Sequence, residues 1–448
     1  MNQSGEIDVN QAEDRIAALR AAFPPGGLFA DKDWNYSPQP LALDRKTVSE
    51  LEKLGHRLYV FQRAANEIYH RSVSGSLPGW IADYLDRGKP ERLIEHGRSK
   101  GLRDVLPRVI RPDLILTDDG FAITELDNLP GGIGLTAWLN ETYAGLSDEW
   151  QVIGGAEGMF DGFQDVLPSD RGKDIIVSEE SADYRPEMDW LAGRLRERGA
   201  DWKTECAEDY TPSDRDVYRF YELFDLENVP PAEAIFSGAE SGKFEVSPPY
   251  KAFLEEKMWS GLFWSAPLRE VWNQTLRSNQ FKALQNYFPF SWIVDPTPLP
   301  QHGVLPKLEV NSWEQVKHFS QKERELVLKI SGFSEIAWGS KSVKIGDDLP
   351  QVEWAESIDR AAGDADTNPW VMQEFKKGRV IEHPYWDDET GMMKVMKGRV
   401  RLCPYYFLNP GGKPTTKLAG VLATIVPADK KIIHGMRDGI LVPCCVGE

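Results

Sequence analysis

The sequence of 448 residues predicts an α/β (α+β) protein, because three of its segments carry the marks of different kinds of secondary structure. A long amphipathic helix is predicted over 44–71, where apolar residues recur at steps of three and four. A β-hairpin is predicted over 113–125, where an Asp-Asp-Gly turn joins two β-rich runs. One β-α-β unit is predicted over 172–210, where a helical segment that ends at Gly199 lies between two short β runs.

The other elements follow from local signals, chiefly apolar periodicity and the positions of Pro and Gly. In the first part of the chain they are a helix over 7–22, closed by the turn at 24–27. Further along they are an aromatic-rich helical stretch over 250–285 and a Pro-rich loop over 295–306. The last part contains the strands LVLKI, SVKIG and WVMQEF within 326–375, with a small-residue loop and an acidic stretch between them, and strands over 393–407 and 419–426. No internal repeat interrupts this order.

Composition excludes several classes of protein. Lys and Arg number 52 against 70 Asp and Glu, and the formal net charge of −18 argues against nucleic acid or an anionic membrane as a partner. The four cysteines form no CxxC pair and the seven histidines form no HExxH pattern, so neither a disulfide framework nor a zinc site is predicted. The polar N-terminus and the lack of a long apolar run favour a cytoplasmic protein without a membrane span.

A first candidate site lies on the predicted hairpin. Arg111 and Asp113 lie on one strand, and Glu125 and Asp127 lie on the next, followed by Asn128. The spacing of two within each pair directs the side chains to one face. Converging carboxylates repel each other unless a cation lies between them, and such oxygen ligands suit Mg²⁺. An arginine there suits a phosphate, and the PGGIG that follows can bring backbone N–H groups close to an anion; the alternative is an ordinary solvated hairpin.

A second candidate site follows the strand LVLKI. Lys329 lies in its apolar run, where a lysine is costly unless it meets an anion. The loop after it can present N–H and hydroxyl donors to phosphates, and its small residues are Ser331, Gly332, Ser334, Gly339, Ser340 and Ser342. The alternative is a mobile surface loop after a lysine that reaches out to water.

Two further segments are weaker candidates when only their residues are considered. Lys282 lies in a helix-like segment, where an exposed lysine is the ordinary case. Gln373, Glu374 and Phe375 end the strand WVMQEF, and such a strand end can offer backbone N–H and C=O groups to an adenine edge. No GxSxG motif points instead to a serine nucleophile.

Taken in this order, the segments resemble the ATP-grasp superfamily in its circularly permuted form, which includes glutathionylspermidine synthetase and eukaryotic-type glutathione synthetase. The family signature R-x-D followed by E-x-N is similar to Arg111-Pro-Asp113 and Glu125-Leu-Asp127 here. The resemblance implies that Asp113, Glu125 and Asp127 hold Mg²⁺ and that Arg111 contacts the transferred phosphate. Asp127 departs from the family, which has Asn at this position, and this leaves open whether Asn128 takes over.

The resemblance also assigns the nucleotide-binding segments. Lys282 and Lys329 are similar to the family's two nucleotide lysines, residues 331–342 to the loop that covers the phosphates, and residues 373–375 to the hinge beside adenine. The implied fold has two antiparallel-sheet lobes that clamp ATP, and a β-α-β substrate domain. The implied domains are a mainly helical region 1–104, a metal-binding part 105–165, the substrate domain 166–245 and the nucleotide-binding lobes 246–448.

The family's reaction is ATP- and Mg-dependent ligation of a carboxylate to an amine through an acyl phosphate. The resemblance therefore implies ATP and Mg²⁺ as cofactors, with a small-molecule carboxylate (an amino acid or peptide) and an amine acceptor as substrates. Because Asp127 and the Ser-rich loop depart from the family, a nucleotide-binding protein without ligase activity is one alternative, and an ATP-dependent phosphotransferase is another. A carbohydrate-binding protein that uses its tryptophans is an alternative of a different class. The oligomeric state is not predicted.

Overall fold

A computed structural model describes residues 9–29, 33–337, 341–409, 414–433 and 437–447. Packing divides the chain into two compact units. Unit 1 consists of Met1–Tyr59, Pro107–Pro249 and Lys377–Glu448, and unit 2 consists of Val60–Leu106 and Tyr250–Lys376. Each unit is thus built from segments that are far apart in the sequence. The four domain ranges predicted above stay a prediction.

The α-helices of the described chain cover most of the segments with helical periodicity. They are α1 (Val9–Ala22), α2 (Arg45–Val73), α3 (Trp80–Asp86), α4 (Glu91–Arg98), α5 (Ile133–Leu146), α6 (Gly158–Gln164), α7 (Arg185–Glu197), α8 (Ala232–Glu240), α9 (Met258–Trp264), α10 (Arg269–Leu276), α11 (Ser278–Tyr287), α12 (Trp313–Val316) and α13 (Gln351–Gly363). None of these helices combines the length and the apolar character that crossing a bilayer requires.

The strands vary from two-residue pieces to one of 18 residues. They are β1 (Leu41–Leu43), β2 (Val109–Thr117), β3 (Gly120–Asp127), β4 (Lys173–Val177), β5 (Trp202–Cys206), β6 (Asp216–Phe220), β7 (Val246–Ser247), β8 (Ser291–Val294), β9 (Leu326–Ile330), β10 (Lys344–Ile345), β11 (Trp370–Glu374), β12 (Val380–Asp387), β13 (Met392–Asn409), β14 (Thr415–Pro427) and β15 (Ile440–Val446).

The larger sheet of unit 1 has the strand order β1-β15-β14-β13-β2-β3, and β12 also pairs with β13. All its neighbours are antiparallel except β1 and β15, which are parallel. The predicted hairpin is confirmed as β2 and β3, with a register shift between Asp113 and Leu114. Strand β13 is long enough to pair with β12 along its first half and with β2 along its second half.

The smaller sheet of unit 1 has the order β5-β4-β6-β7 and is parallel throughout. The predicted β-α-β unit is confirmed as β4, α7 and β5. Gly199 has a φ of 85°, a left-handed conformation that favours glycine, just after the end of α7. Residues 175–177 of β4 are fully buried, as expected for a parallel strand that is covered on both faces.

The sheet of unit 2 has the order β10-β9-β11-β8 and is antiparallel throughout. Apolar side chains of β8, β9 and β11 pack with Trp354 and Ile358 of α13 in one core. The predicted strands LVLKI and WVMQEF are therefore neighbours, as β9 and β11. The segment SVKIG forms only the two-residue strand β10, and the acidic stretch after it is the helix α13.

The remaining local predictions hold with small shifts. The helices predicted over 7–22 and 44–71 are α1 and α2, although residues 7 and 8 lie outside the described residues. The stretch 250–285 contains α9, α10 and the start of α11, separated by short turns. The Pro-rich run 295–306 carries no helix and no strand of those given above. The strands predicted over 393–407 and 419–426 lie within β13 and β14.

Candidate functional site

The β2–β3 ladder brings the predicted acidic residues next to each other in unit 1. Arg111 lies directly opposite Asp127, and Asp113 lies directly opposite Glu125. Nη2 of Arg111 is 2.8 Å from Oδ2 of Asp127 and 3.3 Å from Oδ1 of Asp113. These contacts follow from the register, because residues spaced by two along a strand point to the same face.

Two residues of β13 join this group, and nothing in the sequence marks them. Nη1 of Arg401 is 3.1 Å from Oδ2 of Asp113, and the Cys403 thiol donates to Oδ1 of Asp113 at 3.5 Å. Burial lowers the pKa of Arg111, but the carboxylates of Asp113 and Asp127 outweigh burial and hold this pKa well above its ordinary value. We call Arg111, Asp113, Asp127 and Arg401 the acid–guanidinium cluster.

The acid–guanidinium cluster does not have the form of a metal site. In the described ranges, no set of three or more His, Cys, Asp or Glu side chains is arranged to hold a metal ion. The cation between Asp113 and Asp127 is the Arg111 guanidinium, and Arg401 adds a second positive charge. A metal ion would have to displace a guanidinium, because cations this close repel each other. As placed, the carboxylates of Asp113, Glu125 and Asp127 do not fit the magnesium site that the sequence predicts.

Asp127 has a second role at the end of β3. Its Oδ1 accepts the backbone N–H of Leu129 at 2.8 Å, while its Oδ2 accepts a hydrogen bond from Arg111 at 2.8 Å. An asparagine could keep the first bond through its carbonyl oxygen but would bring no charge to the arginine. Arg111 thus pairs with the negative charge that Asp127 has and that an asparagine would lack. The adjacent Asn128 is buried.

The start of helix α5 contacts a buried acidic side chain of another helix. Glu187 of α7 is fully buried, and its Oε1 accepts the backbone N–H of Gly132 at 2.8 Å. The N–H groups of residues 133–135 also act on this carboxyl group and favour its charged form. Burial raises the pKa of Glu187 to about 8, although the N–H groups oppose this shift. The glycines of PGGIG therefore bring N–H groups to the Glu187 side chain, which keeps its proton up to about pH 8.

Two glycines of PGGIG are required by this close packing. Gly132 has a φ of 85°, which side chains other than glycine rarely adopt. A Cβ atom on Gly131 would lie 2.2 Å from the Tyr184 ring, and one on Gly132 would lie 2.6 Å from the Tyr405 hydroxyl. That hydroxyl donates to the carbonyl oxygen of Gly131 at 2.8 Å. A larger residue at either position would push these tyrosines away.

The second predicted site begins in unit 2 on the interior strand β9. Lys329 lies opposite Val371 of β11 and is only 9% exposed, which is rare for a lysine. Its Nζ donates to Oε1 of Gln373 at 3.2 Å, and Nε2 of Gln373 donates to the Ser291 hydroxyl at 3.2 Å. Two segments that are distant in the sequence, both predicted to bind nucleotide, are therefore adjacent in one sheet and hydrogen-bonded to each other.

The loop after β9 is anchored at its start. Ser331 is fully buried; its hydroxyl donates to Oε2 of Glu256 and accepts the backbone N–H of Met258 at 2.8 Å. Oε1 of Glu256 is 2.5 Å from Nζ of Lys89, and both side chains of this ion pair are almost fully buried. A Cβ atom on Gly332 would lie 3.0 Å from the Glu256 carboxylate. As placed, the Ser331 hydroxyl is bonded within the fold and not directed to a phosphate.

The rest of this loop is only partly described. Ser334 is partly exposed, and its carbonyl oxygen accepts the backbone N–H of Ala337 at 2.9 Å. At the far end, the hydroxyl of the buried Ser342 accepts the backbone N–H of Ile330 at 3.4 Å. Trp338, Gly339 and Ser340 lie outside the described residues.

The last predicted nucleotide residues lie on a helix surface and at a strand end. Lys282 is exposed on α11. The backbone N–H of Glu374 donates to the carbonyl oxygen of Phe290 at 2.9 Å, and that of Phe375 donates to the carbonyl oxygen of Glu325 at 3.0 Å. Both N–H groups are therefore hydrogen-bonded within the chain.

The fold can now be compared with known proteins. None of the family models and none of the curated proteins compared with this sequence matches it. The chain has a glutathione synthetase-like α/β fold, which confirms the fold class that the sequence predicts. It is similar over 99% of its length to 99% of a glutathione synthetase-like effector from Globodera pallida in its apo form, with a TM-score of 0.59 and 13% identity. A proposed gamma-glutamylcysteine synthetase from Methylobacillus flagellatus covers 83% of this chain and 87% of its own length, at a TM-score of 0.40 and 11% identity.

Proposed function

We propose that the protein is an ATP-dependent ligase that joins a carboxylate to an amine. The observation that carries this proposal is the contact between Lys329 and Gln373, which places a buried ammonium group beside a polar strand end, as a nucleotide site needs. Since a fold alone does not decide function, the proposed activity rests on the polar residues of the site.

The proposed reaction has two steps. The substrate carboxylate attacks the γ-phosphorus of ATP, which forms an acyl phosphate and releases ADP. The amine then attacks the acyl carbon, inorganic phosphate leaves, and the nitrogen loses a proton as the amide forms. The protein needs no covalent intermediate, because positioning and neutralisation of the phosphoryl oxygens lower the barrier.

Each predicted residue has a role in this reaction. Lys329 and Lys282 bind the ATP phosphates, Gln373 and its strand end hold the nucleotide base, and Arg111 stabilises the transferring phosphoryl group. Residues 331–342 cover the phosphates and exclude water, which would otherwise hydrolyse the acyl phosphate. The ligation of Mg²⁺ by Asp113, Glu125 and Asp127, where it would neutralise phosphate charge, stays a sequence prediction.

The test is a screen for ADP release with Mg·ATP against amino acids, dipeptides and polyamines, with mass spectrometry of the products. Wild-type protein is expected to form an amide with at least one pair of substrates, and Lys329→Met is expected to lose roughly a hundred-fold or more of this activity, because it removes a positioned charge. Lys344→Met, an exposed lysine on the neighbouring strand β10, serves as the matched control. Activity of Lys329→Met equal to that of the control would rule out the proposed site.

A second candidate function is nucleotide binding without ligation. The acid–guanidinium cluster favours it, because Arg111 and Arg401 occupy the carboxylates that would otherwise be available to a metal ion. Such a protein would show a thermal shift with Mg·ATP that Lys329→Met abolishes, and no ADP in the presence of any acceptor. Amide product identified by mass spectrometry would exclude it.

A further inference from the structure

Unit 1 contains a cavity of about 440 Å³ that none of the residues discussed so far lines. It lies among helices α1, α5 and α7, and its volume is in the range of roughly 300–1,000 Å³ that is typical of small-molecule sites. Its lining residues on α5 begin at Trp138, more than one turn after PGGIG and Glu187, which are at the first turn. At about 1.5 Å per residue, Glu141 lies roughly 12 Å along the helix from that first turn.

Two indole rings form the apolar part of the wall. Trp138 is 2% exposed, and Trp190 is half-buried with its ring centroid 5.9 Å from that of Phe160. Because the partly exposed Trp190 ring is held by packing, it presents a flat apolar surface that needs little ordering when a ligand binds, whereas the buried Trp138 ring offers little surface.

The cavity exists because small residues line it. Gly145 lies within α5 at an ordinary helical φ, and a Cβ atom added there would meet nothing within 4 Å. Glycine weakens a helix, and no backbone conformation requires it here. Ala18 of α1 also lines the cavity, and its small side chain leaves space there. A side chain of ordinary size at position 145 would occupy the empty volume.

Charged groups of both signs lie at the rim. The Glu141 carboxylate forms an ion pair with Nη2 of Arg194, and Nη2 of Arg198 is 3.1 Å away. The side chains of Glu141 and Arg194 are 27% and 30% exposed, so each can still be reached by a ligand while part of its charge is shielded from water. The C-terminal end of α5 adds partial negative charge on the same side, which favours an ammonium group there.

We propose that this cavity binds the zwitterion of an amino acid with a large apolar side chain. The ligand ammonium pairs with Glu141, the ligand carboxylate pairs with Arg194, and the side chain lies against the indole of Trp190. This arrangement matches each charge of the ligand with its opposite on the protein and buries the apolar part against aromatic surface. The site is independent of the ligase proposal, since it uses none of the residues assigned to ATP or to phosphoryl transfer.

The test is isothermal titration of the full chain with L-phenylalanine in the absence of nucleotide. Gly145→Leu is expected to abolish binding, because its side chain fills the cavity. Gly193→Leu is the matched control: Gly193 also lies inside a helix, a Cβ atom there would meet only the far end of Arg196 at 3.8 Å, and it does not line the cavity. If Gly145→Leu fails the circular dichroism check for folding, Ala18→Trp closes the same space from α1.

Two analogues test the charged contacts. 3-Phenylpropanoate lacks the ammonium group and phenethylamine lacks the carboxylate, so each is expected to bind about ten-fold or more weakly than L-phenylalanine, because one charge at the rim is left without its match. Equal binding by Gly145→Leu and wild-type protein, equal binding of all three compounds, or no binding of L-phenylalanine to wild-type protein would each overturn the proposal. Unchanged binding in Lys329→Met would confirm that the site is separate from the one proposed for ATP.

Discussion

Glu187 is a carboxylate without a charged partner in its hydrogen bonds; the first backbone N–H groups of α5 surround it instead. These groups have no partner within their own helix, so a buried acceptor at this place stabilises both the helix start and the contact between α5 and α7. The carboxylate is nevertheless cut off from water, and burial raises its pKa from the ordinary 4.5 to about 8.

This pKa predicts a pH dependence of stability. Between about pH 4.5 and pH 8 the folded protein keeps a proton on Glu187 that the unfolded chain has released, so the free energy of unfolding falls as the pH rises through this window. Because Glu187→Gln does not titrate, its free energy of unfolding should not show this fall. In urea unfolding, the difference between the variant and the wild type is expected to change in favour of the variant by roughly 2 kcal/mol or more between pH 5 and pH 8.5. Asp189→Asn, an exposed position on the same helix, should follow the wild type. Parallel pH profiles for Glu187→Gln and wild type would contradict the prediction.

The residues of the candidate site differ in how far the sequence predicts their contacts. The contact of Arg111 with Asp127 follows from strand periodicity and from the Asp-Asp-Gly turn, both of which are local signals. Arg401 reaches Asp113 only because β13 pairs with β2, across 288 residues. Sequence spacing carries no information about such a pairing, so the contact of Arg401 with Asp113 is not predicted from the sequence.

At the scale of elements, the segment after β9 depends on an ion pair from two other parts of unit 2. Lys89 lies after α3, Glu256 lies just before α9, and Ser331 of the loop bonds to Glu256. Removing two charges from water is costly, so the pair is held by its close contact and by the extra hydrogen bond from the serine. The start of the loop is therefore fixed, whatever its middle does.

A double-mutant cycle tests this anchor. Glu256→Gln leaves the Lys89 ammonium buried without its counter-charge and is expected to lower the free energy of unfolding by about 3–5 kcal/mol. Lys89→Met combined with Glu256→Gln removes both charges and is expected to recover most of that loss. Lys397→Met, which breaks an exposed ion pair with Glu382, should change stability little. Additive losses in the double variant would show that the two residues do not act as a pair.

The sequence predicts the helices and strands that have a local pattern of apolar and turn residues, and it does not predict those without such a pattern. The strand β15 contains Pro443 and two cysteines, which resemble no strand pattern, yet its backbone pairs with β14 and β1 and its residues are almost all buried. Helix α5 is mostly apolar and largely buried, so it shows little amphipathic periodicity. In α13 the spacing of Trp354, Ile358 and Ala361 is helical, but this apolar pattern is short and lies among acidic residues, which are typical of a loop as well.

At the scale of the whole molecule, the chain leaves and re-enters each unit. Unit 2 joins Val60–Leu106 to Tyr250–Lys376, two segments that are far apart in the sequence. Lys251 connects the two segments: its Nζ donates to Oδ1 of Asn66 at 2.8 Å and to the carbonyl oxygens of Arg103 and Val105 at 3.0 and 2.8 Å. The side chain is almost fully buried, so these three acceptors depend on one ammonium group.

If the two segments of unit 2 unfold as one cooperative unit, Lys251→Met should destabilise both of them. The variant leaves three buried acceptors without their donor and is expected to lose roughly 3 kcal/mol or more of unfolding free energy. Amide hydrogen exchange should then accelerate together in residues 60–106 and 250–376, because a discontinuous unit opens as a whole when its connection weakens. Lys322→Met, an exposed lysine of unit 2, should leave exchange unchanged. Faster exchange confined to the neighbours of position 251 would mean that the two segments are stable independently, and that the cooperative unit is smaller than the packing of the chain indicates.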